Sequence, residues 1–539
     1  MEQIERRYPV GIQTFSRIIR EGYVYVDKTD MMWRMQRLSP FVFLSRPRRF
    51  GKSLLSSTLH SFFAGEKVLF EGLKVMQLEK EWKQYPVLHF DLSGTKHLDI
   101  QGFKDELALQ LRTMEAEYGR DLEEKTPGMR LGGLIQRASK LSDSQVVVII
   151  DEYDAPLLDV LHDDESLKAA REVMQEFCQR LKMYESMIRF CFITGITKFS
   201  QLSIFSTLNN LTNISMLPDY ASICGITEDE LTSVLHEDIA LLAQANGCSP
   251  GEMHTRLKVM YDGYRFSWRS PDIYNPYSLM KAFLLKEMSN YWYESGTPSF
   301  LIRQLEHFRT DITTMDSIEA RATAFDQPTD DMTDALPLLY QSGYLTIKGY
   351  DNETGMYLLA LPNKEVRTGF VEGLLPHYLG LTTKDAQGFA ARLWKALKAD
   401  DIEQALCEMR SYLASLPYVE GFKKKLDDPS IREGFYEYTF YLIFSMLNLY
   451  VRTQVKCARG RTDIVIEMPA TLYVLELKVN GSAQDALCQI NVKGYAIPYS
   501  AGDRRVVKVG INFSSVTRTI DTLRDTLECW MDVDMSQKI

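Results

Sequence analysis

Three apolar runs in the first part of the chain, at 41–44 (FVFL), 146–150 (VVVII) and 188–193 (IRFCFI), lack the polar alternation of a half-buried strand. Runs of this kind read as strands covered on both faces. A further strand is read at 85–92 (YPVLHFDL), and a polar-faced helix at 103–118 separates it from the run at 146–150. Strand and helix alternate, which predicts an α/β architecture built on a parallel, doubly wound sheet. The strands end in polar residues: a loop containing Pro47, then Asp91, then Asp151 and Glu152, then Thr194. Ligands of open parallel sheets sit at the carboxyl ends of the strands, so three of these strands deliver polar groups to one edge.

The loop after the first run supplies the chemistry. In 41–55 (FVFLSRPRRFGKSLL) a strand breaks at Pro47, and Gly51-Lys52-Ser53 opens a helix that continues through 54–63. Backbone N–H groups and the helix dipole of such a turn face an anion, Lys52 can reach β/γ-phosphates, and the Ser53 hydroxyl can ligate Mg²⁺. The usual pattern, G-x-x-x-x-G-K-[ST], has glycine where this chain has Arg46. The nucleotide loop is therefore read as Arg46, Pro47, Arg48, Arg49, Phe50, Gly51, Lys52, Ser53 and Leu54, against the alternative of a basic loop before a surface helix. Asp151 is expected to hold Mg²⁺ and Glu152 to orient or deprotonate water. Thr194, Thr197 and Lys198 are candidates to sense a γ-phosphate.

The middle of the chain predicts helices and small units. The polar stretch 201–213 reads as a nucleotide-responsive loop, and 225–229 as a turn before a helix at 230–245 that starts a helical lid. Arg265, in the aromatic-rich stretch 260–278, either reaches the nucleotide or forms a structural salt bridge, the simpler expectation. A helix, a two-stranded turn and another helix within 334–366 suit a winged-helix-like unit, which binds DNA or transmits lid movement. Phe389, Leu393, Leu397, Ile402, Leu406, Met409, Leu413 and Leu416 recur at roughly helical spacing and predict a helical connector. Beyond 428 the pattern becomes a helix at 431–450, strands at 453–457, 462–467 and 473–478, a helix at 483–495 and a strand at 505–513, an αβββαβ order.

These motifs carry two resemblances. The N-terminal half resembles the bacterial AAA-ATPase-like family, through P-V-G-I at 9–12, Y-V-D-K-T at 25–29, S-R-P-R-R-F-G-K-S at 45–53, D-E-Y-D-A-P-L at 151–157 and T-G-I-T-K-F-S at 194–200. Y-D-G-Y-R-F at 261–266, Y-N-P-Y-S at 274–278, Q-S-G-Y-L at 341–345 and N-K-E-V-R at 363–367 are also family-like. The resemblance implies that Arg46 is normal for the loop, and that the segment around 9–34 packs beside the nucleotide. Tyr25 or Val26 would then border adenine, an edge strand with core aromatics being the alternative. The C-terminal order resembles the restriction-endonuclease-like fold of the PD-(D/E)XK nuclease superfamily, commonly fused to this ATPase type.

In that setting Asp463 falls on the second strand, and Glu476 and Lys478 on the third. Side chains alternate along a strand, so Glu476 and Lys478 share a face and Leu477 points away. Asp463 and Glu476 would bind Mg²⁺, and Lys478 would stabilise the attacked phosphate or position water. The resemblance adds Gln489 as an assisting residue and Glu433 or Glu437 as a further metal ligand. Arg452, Lys456, Arg459 and Arg461 form a stretch without acids, suited to phosphate contact.

With 539 residues, two to four domains are expected: an ATPase-like domain at 1–225, a lid at 226–300, a winged-helix-like and helical connector at 301–427, and a nuclease-like domain at 428–539. A net charge of −10 argues against a surface basic all over, so contact with nucleic acid needs a local patch. No apolar signal region opens the chain, and the apolar stretch 439–451 is too short to span about 30 Å of hydrocarbon, which predicts a cytoplasmic protein without membrane contact. Eight cysteines without a C-x-x-C pair, and eight unclustered histidines, support neither a zinc site nor a disulfide framework.

The expectation is an ATP- and Mg²⁺-dependent enzyme acting on nucleic acid, DNA first, whose nucleotide state controls a C-terminal nuclease; the resemblance to other fused ATPase and nuclease proteins implies a role against foreign DNA. The competing reading is an ATP-dependent signalling or assembly switch with a degenerate, nucleic-acid-binding nuclease-like domain. A homo-oligomer is possible in either case, with Arg48 or Arg49 as candidate arginine fingers.

Overall fold

The computed structural model describes residues 6–95, 99–158, 160, 163–198, 210–292, 299–308, 310, 312–328, 332–379, 383–415, 450–457, 460–468, 470–499, 504–514 and 519–520. The chain divides into two compact units, Met1–Thr310 with Ser317–Val366, and Asp311–Asp316 with Arg367–Ile539. The segment 301–427, read from sequence as one connector, is thus shared between them.

The first unit is built on five parallel strands, β1 (Phe41–Ser45), β2 (Val87–Asp91), β3 (Val146–Asp151), β4 (Ile188–Gly195) and β5 (Thr212–Asn213), in the order β2-β3-β4-β1-β5. Every residue of β1 and β3 is buried, as unbroken apolar runs require when helices cover both faces. Leu88, Phe90, Val146, Val148 and Ile150 pack with Leu107, Leu134 and Phe177 of the crossover helices. The register aligns the strand ends, Asp91 with Asp151 and Ser45 with Gly195. Because β4 lies between β1 and β3, the carboxyl ends of β1 and β3 are two strand spacings apart, about 10 Å.

Four helices, Glu228–Val234, His236–Ala245, Pro250–Tyr261 and Pro276–Leu285, follow around a second core containing Leu231, Leu242, Leu257, Tyr274 and Leu279. The single helix expected at 230–245 is broken at Leu235, whose φ of −116° leaves the helical region while its side chain is buried. Capping boxes at Thr227 and Ser249 start two of these helices. Two short strands, β6 (Ile226–Thr227) and β7 (Ile273–Tyr274), pair antiparallel. The small unit after these helices has three strands rather than two: β8 (Ile318–Ala320), β9 (Thr346–Asp351) and β10 (Met356–Ala360), with β10 in the middle. The segment around Tyr23–Val26 is not an edge strand; it forms one isolated bridge, between Arg7 and Tyr23.

In the second unit β11 (Tyr450–Cys457), β12 (Gly460–Glu467), β13 (Thr471–Val479), β14 (Arg505–Ser514) and β15 (Thr519–Ile520) follow one another in space. All pairs are antiparallel except β13 and β14, whose parallel pairing requires the crossover through the helix Ala483–Lys493. Gly510 on β14 lets that helix approach, since a Cβ there would overlap the carbonyl of Ala483. The helices Thr383–Lys398 and Ile402–Ser415 pack through stacked Phe389 and Tyr412 rings, 4.1 Å apart. Between them Asp400, at φ 59°, accepts the Tyr473 hydroxyl at 2.5 Å and pairs with Arg505 at 2.5 Å. The helix expected at 431–450, with Glu433 and Glu437, lies almost wholly outside the described residues. So do Arg459, the side chains of Arg452, Lys456 and Arg461, and all but the end of the polar stretch at 201–213. Among the described residues no helix is long and apolar enough to cross a membrane.

Candidate nucleotide and nuclease sites

In the first unit the chain leaves β1 at Ser45 and turns back into the helix Lys52–Phe63. The turn needs left-handed backbone at Gly51 (φ 92°), which glycine supplies, and at Arg49 (φ 66°). Arg46 is 1% exposed and donates to the carbonyls of Ser45 at 2.9 Å, Ser215 at 2.8 Å and Tyr220 at 3.0 Å, with the Phe266 ring 4.1 Å away. Burial brings its pKa down to about 10, so it stays charged at neutral pH. Its side chain fastens the base of the loop. Lys52 is buried too, and its Nζ donates to the carbonyls of Arg46 at 3.0 Å and Pro47 at 3.1 Å.

A cavity of about 500 Å³ opens beside this loop, a volume that suits a nucleotide. Residues 48–54 and Glu152 line it together with the apolar side chains of Val10, Tyr25, Val26, Ile223 and Met280. The Asp151 carboxyl is pushed up to about 6 by burial, against the pull of the nearby Ser53 hydroxyl and Lys52. Glu152 follows at φ 49°, a conformation uncommon for glutamate that turns its side chain to the cavity.

The polar groups after β4 go elsewhere. Thr194 donates to the Leu44 carbonyl at 2.7 Å and clamps β4 to β1. Asp154, 1% exposed, accepts the backbone N–H of Ile196 at 3.0 Å and of Thr197 at 2.6 Å, and the Thr197 hydroxyl at 2.7 Å. Burial raises the Asp154 pKa while these donors oppose it. Lys198 is paired with Asp326, and its N–H donates to Gln341 at 2.7 Å. None of the three candidate sensors lines the cavity, because a buried carboxylate and backbone carbonyls claim their polar atoms first. Arg265 pairs with Asp272 at 2.9 Å and also stays away from it.

In the second unit Ile464 pairs with Leu475, so Asp463 stands opposite Glu476 one step further along the ladder. An Asp463 carboxylate oxygen accepts the Leu477 N–H at 2.8 Å. Glu476, 2% exposed, accepts from the Gln489 amide. Lys478 Nζ donates to the Gln489 carbonyl oxygen at 2.7 Å and lies 3.7 Å from Glu476 Oε1. The helix carrying Gln489 starts at Ser482, whose side chain caps it. Among the described residues no three or more of His, Cys, Asp and Glu are grouped to hold a metal. Each site instead offers hard oxygen donors, Ser53 with Asp151 and Asp463 with Glu476, which suit Mg²⁺ completed by water and phosphate oxygens.

Residues 9–205 match the family described as Predicted AAA-ATPase, and residues 431–523 match the PD-(D/E)XK nuclease superfamily. A relative from Azotobacter chroococcum mcd 1, called an uncharacterized protein in the vnfD 5′ region, is 34% identical over 526 residues, 96% of this chain and 98% of that protein. This chain belongs to the AAA-ATPase-like family, fused to a PD-(D/E)XK nuclease superfamily domain. In the AAA-ATPase-like half the structure gathers Arg48 to Leu54 and Glu152 around the cavity, leaves Asp151 buried behind that lining, and draws the Arg46 side chain and Thr194 into the frame. In the nuclease superfamily domain it brings Asp463, Glu476, Lys478 and Gln489 together.

Sequence reasoning passed over several residues of this AAA-ATPase-like protein. Asp154 is the second aspartate of D-E-Y-D, and its place in that motif was the available signal. Gly343 of Q-S-G-Y-L (φ 88°) packs so closely on the loop that a Cβ would stand 2.6 Å from Pro47. Tyr495, whose hydroxyl is 3.4 Å from the Gln489 amide, left no signal of its own.

Proposed function

We propose that the protein binds and hydrolyses Mg²⁺-ATP in its first unit, and that nucleotide state governs Mg²⁺-dependent cleavage of nucleic acid, DNA first, in its second. The observation that carries this reading is the joined set Asp463, Glu476, Lys478 and Gln489, in a chain that also holds a phosphate loop beside two acids. At the loop, Lys52 exchanges the carbonyls of Arg46 and Pro47 for phosphate oxygens, Ser53 and Asp151 would hold the cation, and Glu152 orients or deprotonates water. In the second unit Lys478 offsets charge at the scissile phosphate, while Gln489 keeps Lys478 and Glu476 in register. Mg²⁺ at either site would neutralise phosphate charge and make bound water more acidic. A cytoplasmic setting, assembly into a homo-oligomer and action against foreign DNA belong to the same proposal.

The test is purified protein with labelled single- and double-stranded DNA and RNA, with and without ATP and Mg²⁺. Cleavage that needs the metal and responds to ATP is expected; no cleavage of any substrate would overturn the nuclease. A second reading is an ATP-driven assembly switch whose nuclease-like domain only binds; the bond of the Leu477 N–H to Asp463 Oδ2, which uses one of that carboxylate's acceptor positions, favours it. Sedimentation with ATP, showing assembly without cleavage, would select it.

A further inference from the structure

Arg49 stands in the loop after β1 at φ 66°, between two fastened residues. Arg46 is held by the carbonyls it bonds, and Phe50, 1% exposed, meets the rings of Tyr264 and Phe266 edge-on at 4.7 and 5.3 Å. The backbone around Arg49 is thus fixed, while its side chain is half-buried. Its guanidinium lies 3.8 Å over the ring of Tyr277, in the first turn of the helix Pro276–Leu285. Both residues line the cavity beside the loop, together with Gly51, Lys52 and Ser53. Among the described residues Arg49 has no hydrogen bond and no ion pair, so the ring is the contact that orients it. Lys281 Nζ is 5.8 Å from the same ring and 5.0 Å from that of Tyr291, which leaves Arg49 the nearer place on Tyr277. A guanidinium laid over an aromatic face keeps its five N–H donors at its edge, where an anion can take them.

We propose that Tyr277 is a positioning residue of the nucleotide site, its ring holding Arg49 ready to donate to the phosphates of ATP bound in the same chain. This rests on reading the cavity as an ATP site. It assigns Arg49 to the nucleotide of its own loop, not to that of a neighbouring subunit, because the helix that orients the side chain lines the same cavity as Lys52. A long side chain that is already stacked loses less rotamer freedom when it takes hold of a phosphate. The ring face supplies this hold, so a phenyl ring serves and an aliphatic side chain does not. Pro276, Tyr277 and Met280 together bring the helix Pro276–Leu285 to the cavity wall, and Tyr277 is the one of them that reaches the phosphate loop through a cation.

The experiment is ATP affinity of the full chain, measured by calorimetry in the wild type, Lys52→Ala, Arg49→Ala, Tyr277→Leu, Tyr277→Phe and the double variant of Arg49→Ala with Tyr277→Leu. Arg49→Ala is expected to bind ATP about tenfold more weakly, the loss of one charge-assisted contact, and Tyr277→Leu about threefold more weakly. Tyr277→Phe should regain most of that loss, and the double variant should be no weaker than Arg49→Ala, since the ring acts through the guanidinium. With one phosphate contact fewer, affinity in Arg49→Ala should fall less steeply with added salt than in the wild type, a readout that a merely structural role would not move. Unchanged affinity in Tyr277→Leu, a further loss in the double variant, or equal salt dependence in wild type and Arg49→Ala would each overturn the proposal; if Lys52→Ala is still impaired, the ATP reading stands without it. Should Tyr277→Leu not fold, Tyr277→Met takes its place under the same expectations. Mixing Arg49→Ala chains with Lys52→Ala chains is expected to restore no ATP turnover, and turnover regained would overturn the assignment of Arg49 to its own chain. A wild type that binds no ATP would withdraw the nucleotide reading, and this proposal with it.

Discussion

Arg46 and Lys52 share one loop and are both buried, yet their bonds assign them different tasks. Arg46 satisfies carbonyls on three sides, so Arg46→Ala leaves buried acceptors without donors. A loss of about 3 kcal/mol or more is expected from urea unfolding, and Arg46→Lys should recover only part of it because a single ammonium cannot fork. Lys52→Ala should lower ATP affinity by about tenfold or more, one charge-assisted contact being worth about 1.5–3 kcal/mol; equal affinity by calorimetry would remove the phosphate-loop reading. Glu152→Gln should keep binding and lower turnover by about 10²–10⁴-fold, because the amide accepts no proton. In the second unit, Asp463→Ala, Glu476→Ala and Lys478→Ala should each abolish cleavage in a gel assay while ATP turnover remains. Cleavage by Asp463→Ala at the wild-type rate would sink the proposed metal site.

Among the elements, the contact of the loop helix with β2 carries a pH dependence. His60 on the helix and His89 on β2 bring their Nδ1 atoms within 3.4 Å. Burial, then the proximity of His60, holds His89 down to about 4, and burial lowers His60 as well. An unfolded imidazole titrates near 6.5, so between about 6.5 and about 4 the unfolded chain binds the proton and the folded chain does not. Stability should be full above that window and fall as pH drops through it, seen as a lower urea midpoint near pH 5 than near pH 7.5. His89→Gln should flatten the slope, and an unaltered slope would exclude the pair as its source. The same elements show what periodicity can reveal. β1 and β3 were legible because continuous apolar runs ended at charged or turn-forming residues, and Glu476 with Lys478 because a strand repeats every two residues. β5 and β8, with two and three residues, carry too little pattern to read. The break at Leu235 serves a tertiary core that no local signal encodes. Thr194, Thr197 and Lys198 looked like sensors because sequence shows which polar groups arrive at an edge. It does not show that the Leu44 carbonyl takes Thr194, Asp154 takes Thr197 and Asp326 takes Lys198 first.

For the whole molecule, the prediction concerns control. If nucleotide state governs the second unit, Glu152→Gln, which prolongs the ATP-bound state without touching Asp463 or Glu476, should shift the rate of cleavage or the assembled mass in one direction. Cleavage rates and light-scattering mass that ignore both ATP and this substitution would mean two activities that merely share a chain. The units are interleaved in sequence: the chain passes between them after 310, after 316 and again after 366. Arg367, at the last crossing, pairs with Asp316 at 3.0 Å within the second unit. A fragment starting at 367 therefore removes Asp316 from Arg367, and one ending at 366 carries a piece that belongs to the other half. No single cut yields both units whole. Gene fusion and shuffling trade most readily in pieces that one cut can separate, so the two halves of this protein are expected to be inherited, lost and horizontally transferred together.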